Sequence, residues 1–416
     1  MVSTADTDKR RPTGWSIVNT SLLGTDPSAD TVAVPHQRAL AAGADVSDDM
    51  VAELCTALFS LLSRRDRRLR AEQYLRGLLT TPGRKSIRNI AAHLGGAAVE
   101  QSLHHFITSS AWDWLPLRIA LAGYLEHTTA PQAWVTRPLH IPKAGRHSVG
   151  VEEHFAPHLG QVFRGQQAVG VWLASPELSA PVDWRLVLPE PWINDRQRRD
   201  QADLPEGIGA ESTEECAVSA VERMAQRWNI PRRPVLIDLR RGGVAAATGR
   251  LAAGGVHFVA RVSPSYRVAV ADPALPGYRA GSLPAQRILE VVKGMRTPVA
   301  WRDAAQGNTL RTTLAAAVPV ALPGHAGSRP RHLLLLGEWT NPARPPSRLW
   351  VTDMAHLPVG SLLRTAKLDD RVDADLARIG DRAGLRDFVG RSFRGWHRHM
   401  TLASVAHTAM ALGASG

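Results

Sequence analysis

The chain has 416 residues, 44% of them hydrophobic, which is enough for a sizeable core and more than one domain and excludes a disordered polymer. Lys and Arg outnumber Asp and Glu by 50 to 38, and arginine carries nearly all of the excess, because the only lysines are Lys9, Lys85, Lys143, Lys293 and Lys367. Such an excess suits a polyanionic partner, since guanidinium forks match phosphate oxygens and guanine edges, although GC-rich coding inflates arginine equally well. Cys55 and Cys216 lie far apart and outside any CxxC, which excludes a disulfide framework or a cysteine zinc site. No apolar run of signal or membrane-span length occurs, so the expectation is a cytoplasmic protein without a membrane partner.

Residues 1–45 mix Ser, Thr, Asp, Pro and Gly without periodicity and read as a flexible arm. From Asp48 to Tyr124 the apolar residues recur at helical spacing, which predicts a helical domain over 46–130. Its segment SRRDRRLRAEQYLRGLL places Arg64, Arg65, Arg67, Arg68 and Arg70 within two turns, and GRKSIRNIA adds Arg84, Lys85 and Arg88. A charge run is as readily a solvated helix face as a DNA contact, while the turn at Thr81, Pro82 and Gly83 permits a helix-turn-helix arrangement. Beyond residue 131 short Val-, Leu- and Trp-rich runs alternate with turns: AWVT, QQAVGVWLA, DWRLVLP, PVLIDL, HFVARV, HLLLLGEW and RLWVTD all read as strands. A helix over about 211–228 separates two of them, and a final helical region runs from Arg371 to the end, with an amphipathic stretch from Met400 to Leu412. The Pro-, Gly- and Ala-rich stretch 264–330 reads as an insertion of loops and strand within an α/β domain spanning 131–416.

Among residues that could carry chemistry, Asp238 ends an apolar run at a Gly-containing turn, a place that in α/β folds faces an active-site crevice but also suits a simple cap. Asp369, Asp370, Asp373 and Asp375 open the last helical region, where the helix dipole favours acids regardless of function. RHSVGVEEHFAPHLG gathers His147, Glu152, Glu153, His154 and His158, but Pro157 breaks the helical spacing that a zinc pair would need. Phosphate-cradling GxxxxGK[ST] and nucleophile-elbow GxSxG loops are absent from the sequence.

In order along the chain, GLLTTPGRKSIRNIA, SSAWDW, AWVTRPLHIPKAGRHSVGVEEHF, DWRLVLPEPW, PVLIDLRRGG and GLRDFVGRSFRGWHRHMTLA resemble the insertion-sequence seven-oh-one family of DDE transposases over roughly residues 50–412. The resemblance implies an RNase H-like mixed sheet flanked by helices, in which three acids gather two divalent ions for phosphoryl transfer on DNA. It maps the second acid onto Asp238 and the third onto Asp373, with Asp375 as the neighbouring alternative. At the first position it finds Arg137, and a guanidinium neither ligates Mg²⁺ nor tolerates a cation beside it. The site is therefore expected to be degenerate, with Arg137 holding Asp238 and Asp373 together through an attraction of roughly 4 kcal/mol per pair at about 4 Å and an effective dielectric of about 20.

Three functions follow from these readings. The first is a domesticated, nuclease-dead protein that binds DNA in a regulatory or accessory role, using Arg64, Arg65, Arg67, Arg68, Arg84, Lys85, Arg88, Lys143, Arg391 and Arg394 and needing no cofactor. The second is an active transposase that recruits Glu152, Glu153 or Asp375 as a substitute ligand and uses Mg²⁺ or Mn²⁺. The third is an enzyme acting on a small-molecule substrate in the former metal cleft, with Asp238, Arg137, His147, Glu153 or His154 as acid, base or anion holder. A homo-oligomer is compatible with the resemblance, and no coiled coil specifies one. Trp396, His397 and His399 are expected to belong to the core.

Overall fold

In the computed structural model, which describes residues 46–145, 147–156, 161–322 and 331–414, the described part opens with five helices and continues into a mixed sheet. The expected arm at 1–45 and His158 lie outside the described residues. Helix α1 (Asp48–Phe59) starts where the Ser47 hydroxyl accepts from the Met50 amide, with Asp48 and Asp49 at its positive end. It buries Val51, Leu54 and Leu58, one stripe at helical spacing. The arginine-rich α2 (Arg65–Thr80) stops at Thr81 before Pro82 and turns through Gly83 at φ 65°, and Ser86 then caps α3 (Ile87–Leu94). The two helices approach so closely that a Cβ on Gly77 would fall 2.3 Å from the Ile90 side chain. Helices α4 (Ala97–Thr108) and α5 (Leu115–Thr129) complete the group.

The sheet starts with β1 (Ala133–Pro142), β2 (Glu152–Ala156), β3 (Gln161–Ala174) and β4 (Ser179–Val187). After α6 (Glu190–Asn194), α7 (Arg196–Ala202) and α8 (Thr213–Arg227) come β5 (Val235–Asp238), α9 (Val244–Ala253) and β6 (Phe258–Arg261). Strand β3 pairs antiparallel with β1, β2 and β4, whereas β5 and β6 continue the sheet parallel to β1. Strands β5 and β6 and the first residues of β1 are buried and read as short apolar runs for that reason.

All seven sequence-predicted strands are present, and α8 matches the helix expected at 211–228. The stretch 264–330 is more regular than its composition suggests. It holds β7 (Arg267–Val270), β8 (Ser282–Pro284), α10 (Ala285–Val291), β9 (Thr297–Asp303) and the 14-residue β10 (Thr309–Leu322). With β11 (Arg331–Trp339) and β12 (Arg348–Thr352) these strands extend the same sheet, because β12 pairs antiparallel with β6. Alanines and an exposed outer half hide β10 from a hydrophobic-pattern reading.

The chain ends in α11 (Val359–Ala366), α12 (Leu368–Ile379) and α13 (Phe393–Gly413). Helix α13 corrects the expectation of an amphipathic stretch docked by one stripe: every residue from Gly395 to Ala411 is buried. It runs between β4 on one side and α1, α2, α4 and α5 on the other, so no face is left for solvent. Trp396, His397 and His399 lie in the core as expected.

Polar groups on such a helix need partners. Arg398 donates to the carbonyls of Trp112, Ile107 and Thr108, and the Trp184 indole donates to the Ser404 hydroxyl at 2.9 Å. Arg118 of α5, 1% exposed, uses Nη1 on Asp183 and the Trp184 carbonyl, Nε on Thr401 and Nη2 on His397. Arg223 of α8 takes the other Asp183 oxygen. Asp183→Ala strands two guanidinium groups, and urea unfolding is expected to show a loss of about 3–5 kcal/mol. A loss below about 1 kcal/mol would show that the cluster is incidental.

His399 joins α13 to α2 and to the segment before it: Tyr74 donates to Nδ1 at 2.8 Å and Nε2 donates to the Gly384 carbonyl at 2.8 Å, an arrangement of the neutral ring. Burial pushes His399 and His407 down to about 4 and His397 well below its usual value. Between about pH 6.5 and 4 the unfolded chain therefore binds more protons, and each histidine costs on the order of 1.4 kcal/mol of stability per pH unit as pH falls. Urea midpoints measured from pH 7 to 4.5 are expected to drop steeply, and less steeply in His399→Gln; equal slopes would remove His399 from this account.

Candidate functional site

The parallel register sets Trp134 beside Val235 and Val135 beside Leu236, which brings Arg137, three residues past the first pair, level with Asp238 at the end of β5. Helix α12 packs across β1 and carries Asp369, Asp370 and Asp373 on its first turns. These elements wall a cavity of about 910 Å³ that includes Thr136, Arg137, Asp238, Arg240, Asp373 and Arg386.

Arg137 is mostly buried, at 13% side-chain exposure, and its guanidinium pairs with Asp373 through Nη2 and with Asp369 through Nη1 at 3.4 Å. Nη2 also reaches the Asp369 carbonyl at 3.4 Å. Burial opposes the charge on Arg137, but Asp369, Asp373 and, more weakly, Asp238 outweigh it and raise the guanidinium pKa. Burial, helped by the charges of Asp369 and Asp370, pushes Asp373 up against the pull of Arg137, although its side chain keeps 59% of its surface.

Asp238 does not touch Arg137, which corrects the expectation of one cation bridging both acids. Arg240, two residues on, folds back and grips both Asp238 oxygens, with Nε at 2.9 and 3.0 Å and Nη2 at 2.6 Å, while its amide donates at 3.1 Å. Burial would raise the Asp238 pKa, but these bonds hold it below the usual carboxylate value. Arg137 and Asp238 contribute to the same cavity and answer to different partners.

Asp375, the neighbouring alternative, is fully buried on the far side of α12, where it accepts from the Ser179 amide at 2.7 Å and hydroxyl at 2.9 Å and faces Arg371 and Arg378. Glu153 pairs with Arg164 at 2.5 Å, and Glu152 faces Arg198 at 3.4 Å. His154 lies half-buried against Phe163, its pKa lowered by burial. His147 lines a different cavity. None of Glu152, Glu153, His147, His154 or Asp375 lines the cavity of Arg137 and Asp238.

A pair of divalent ions does not fit this donor set. The Arg137 guanidinium stands among the acids, Asp373 is already bound to it, and both oxygens of Asp238 carry donors from Arg240. Among the described residues no three of His, Cys, Asp and Glu gather with metal-binding geometry.

Of the other basic candidates, Arg64, Arg65, Arg68 and Arg88 are exposed, Arg67 is half-exposed, and Arg64 pairs with Asp66 at 3.0 Å. Arg394 is held by Asp203 at 2.7 Å, and Arg391 is exposed. Lys85 and Lys143, expected to contact DNA, are buried instead: Lys85 Nζ donates to the Thr81 carbonyl, and Lys143 Nζ donates to the Arg386 carbonyl at 3.1 Å and the Phe388 carbonyl at 2.5 Å. A lysine in a sequence does not announce whether its ammonium will find water or a carbonyl. Nothing local in the sequence distinguishes the arginines at 382 and 386, on the loop these lysines support.

Residues 57–320 match the family of DDE superfamily endonucleases, which spans both Arg137 and Asp238 and stops before α12. The chain belongs to that family. No curated protein matches it.

Replacing Arg137 by methionine leaves Asp369 and Asp373 facing each other without a cation. Arg137→Met is expected to lose about 1–2 kcal/mol at pH 7 by urea unfolding, discounted for the exposure of Asp373. The deficit should shrink at acid pH, because Asp373, already raised in the wild type by burial, loses the opposing pull of Arg137 in the variant and takes up its proton more readily. A deficit independent of pH would contradict the charge account.

Proposed function

We propose that this member of the DDE superfamily endonucleases binds DNA without cutting it, as a domesticated relative of the insertion-sequence seven-oh-one transposases whose two-metal centre no longer assembles. The observation that carries this reading is the Arg137 guanidinium seated between Asp369 and Asp373 at the position where the resemblance places the first acid. An RNase H-like core is supported by the order β4, β3, β1, β5, β6, with three antiparallel strands followed by two parallel ones and with acids at the end of β5 and on α12.

Binding does not need the lost centre, because phosphate contacts depend on cations, and the chain carries a formal net charge of +12. A regulatory or accessory role requires no more than that. The reading with substitute ligands has little support, since Glu152, Glu153 and Asp375 are engaged elsewhere. The small-molecule reading loses three of its five residues, because His147, Glu153 and His154 stand outside the cavity of Arg137 and Asp238.

The test is a binding and nicking assay on duplex DNA across a salt series, with and without Mg²⁺ or Mn²⁺. Wild type is expected to bind with an affinity that falls roughly tenfold or more between about 50 and 200 mM salt, and to leave the DNA intact with either metal. Metal-dependent nicking by the wild type would overturn the proposal. Arg137→Asp restores a carboxylate at the first position and is expected to gain Mn²⁺ binding, read by calorimetry, even if cutting is not recovered.

A further inference from the structure

The sequence drew attention to the arginines at the start of α2, yet depressions that share lining arginines also lie at the other end of that helix. The α2 axis from Arg65 to Thr80 spans roughly 24 Å at about 1.5 Å per residue, so the two surfaces are well separated. Arg386 and Pro142 line both the cavity of Arg137 and a second one of about 630 Å³. Arg84, Asp381 and Asp387 line that second cavity and a third, of about 550 Å³, against the turn between α2 and α3. The three depressions thus form one groove from the arginine-filled cleft to the turn at Pro82 and Gly83.

We propose that this groove seats the sugar-phosphate backbone of duplex DNA, with Arg382, Arg386, Arg391 and Arg84 as its phosphate contacts. The inference rests on the DNA-binding reading and says where that binding occurs. Charge is the first argument. The two acids of the outer depressions are already taken: Asp381 pairs with Arg386, and Asp387 accepts from the Lys85 amide at 2.8 Å and faces Arg84 at 3.8 Å. Arg382 and Arg391 are exposed, and among the described residues neither has a carboxylate partner. Cations gathered without counter-charges are stabilised by a polyanion that brings its own. Burial, with a smaller push from Arg84 and against Asp387, lowers Lys143, under the floor of the groove, to about 8.

Rigidity is the second argument. The segment from Asp381 to Arg391 is pinned from several sides: Lys143 holds the carbonyls of Arg386 and Phe388, Arg386 Nε donates to the His140 carbonyl at 3.3 Å, and His399 holds the Gly384 carbonyl. Gly384 itself, at φ 80°, packs so tightly on Lys85 that a Cβ would fall 2.9 Å from that side chain. The groove arginines therefore project from a fixed frame, and their ordering costs less on binding. Buried Lys85 and Lys143 are parts of that frame and serve as positioning residues.

The experiment measures binding of mixed-sequence duplex DNA across a salt series for wild type, for Arg382→Glu with Arg391→Glu, and for Arg287→Glu with Arg302→Glu, a control pair of equal charge change on α10 and β9. All three proteins should share one thermal midpoint, since each substituted side chain is exposed. The groove pair is expected to lose at least about tenfold in affinity and about two units of the slope of log K against log salt, near 0.9 per contact, with the control close to wild type. Arg382→Lys with Arg391→Lys should keep the slope. A wild type that binds while the groove pair matches it, or while the control loses as much, would overturn the groove and leave DNA binding standing. A wild type that fails to bind even at low salt would overturn both.

Discussion

Carboxylates collected at the carboxyl ends of strands repel one another, and the sheet that brings them together must also supply cations. In this protein the cations are covalent. Arg240 grips Asp238, Arg137 lies on Asp369 and Asp373, and Arg348 takes Asp370 at 2.5 Å. Lys367 sits between Asp370 at 3.4 Å and the fully buried Glu338 at 2.7 Å, with its ammonium 3.9 Å from the centre of the Trp301 ring. Each of these acids thus has a cationic partner within the chain. Neutralising each acid from within the chain fixes α12 on the sheet and leaves the surroundings basic: burial lowers the pKa of Arg261, and Arg240 and Arg348 lower it further.

The same chemistry couples the helices to the sheet. Arg118 reaches from α5 through α13 to β4, and its five N–H groups find a carboxylate, two carbonyls, a hydroxyl and a ring nitrogen. Buried arginine is costly unless every donor is matched, so the geometry around it is narrowly specified. Helix α13 supplies several of those partners, which accounts for the polar residues along a helix with no exposed face. One consequence reaches the surface, because the His399 and Lys143 bonds that anchor α13 and β1 also fix the loop carrying Arg382, Arg386 and Arg391.

Much of this was legible in the sequence and some could not be. Apolar runs bounded by turns located β1, β3, β4, β5, β6, β11 and β12, because burial on both faces leaves a continuous hydrophobic stretch. Helical spacing located α1, α2 and α8 in the same way. The ordered motif resemblance brought Arg137, Asp238 and Asp373 to one cavity although they are separated by more than a hundred residues at each step. It did not reveal which arginine serves which acid: Arg240 reaches Asp238 through a turn whose conformation the sequence does not dictate. Strand β10 was hidden by alanines, α13 by its polar side chains, and the Arg118 to Asp183 pair by sixty-five residues of separation. Asp375 and Asp373 differ by two positions, and only the rotation of α12 tells that one faces the cleft and the other Ser179.

The central claim is that Arg137 stands where a metal ion would otherwise be needed. The most direct measurement is a crystal structure of the full chain grown in excess Mn²⁺, with anomalous data collected at the manganese edge. The account predicts no anomalous density between Asp238 and Asp373, with the Arg137 guanidinium still on Asp369 and Asp373. Manganese bound to Asp238 and Asp373, with Arg137 swung out of the cleft, would contradict it.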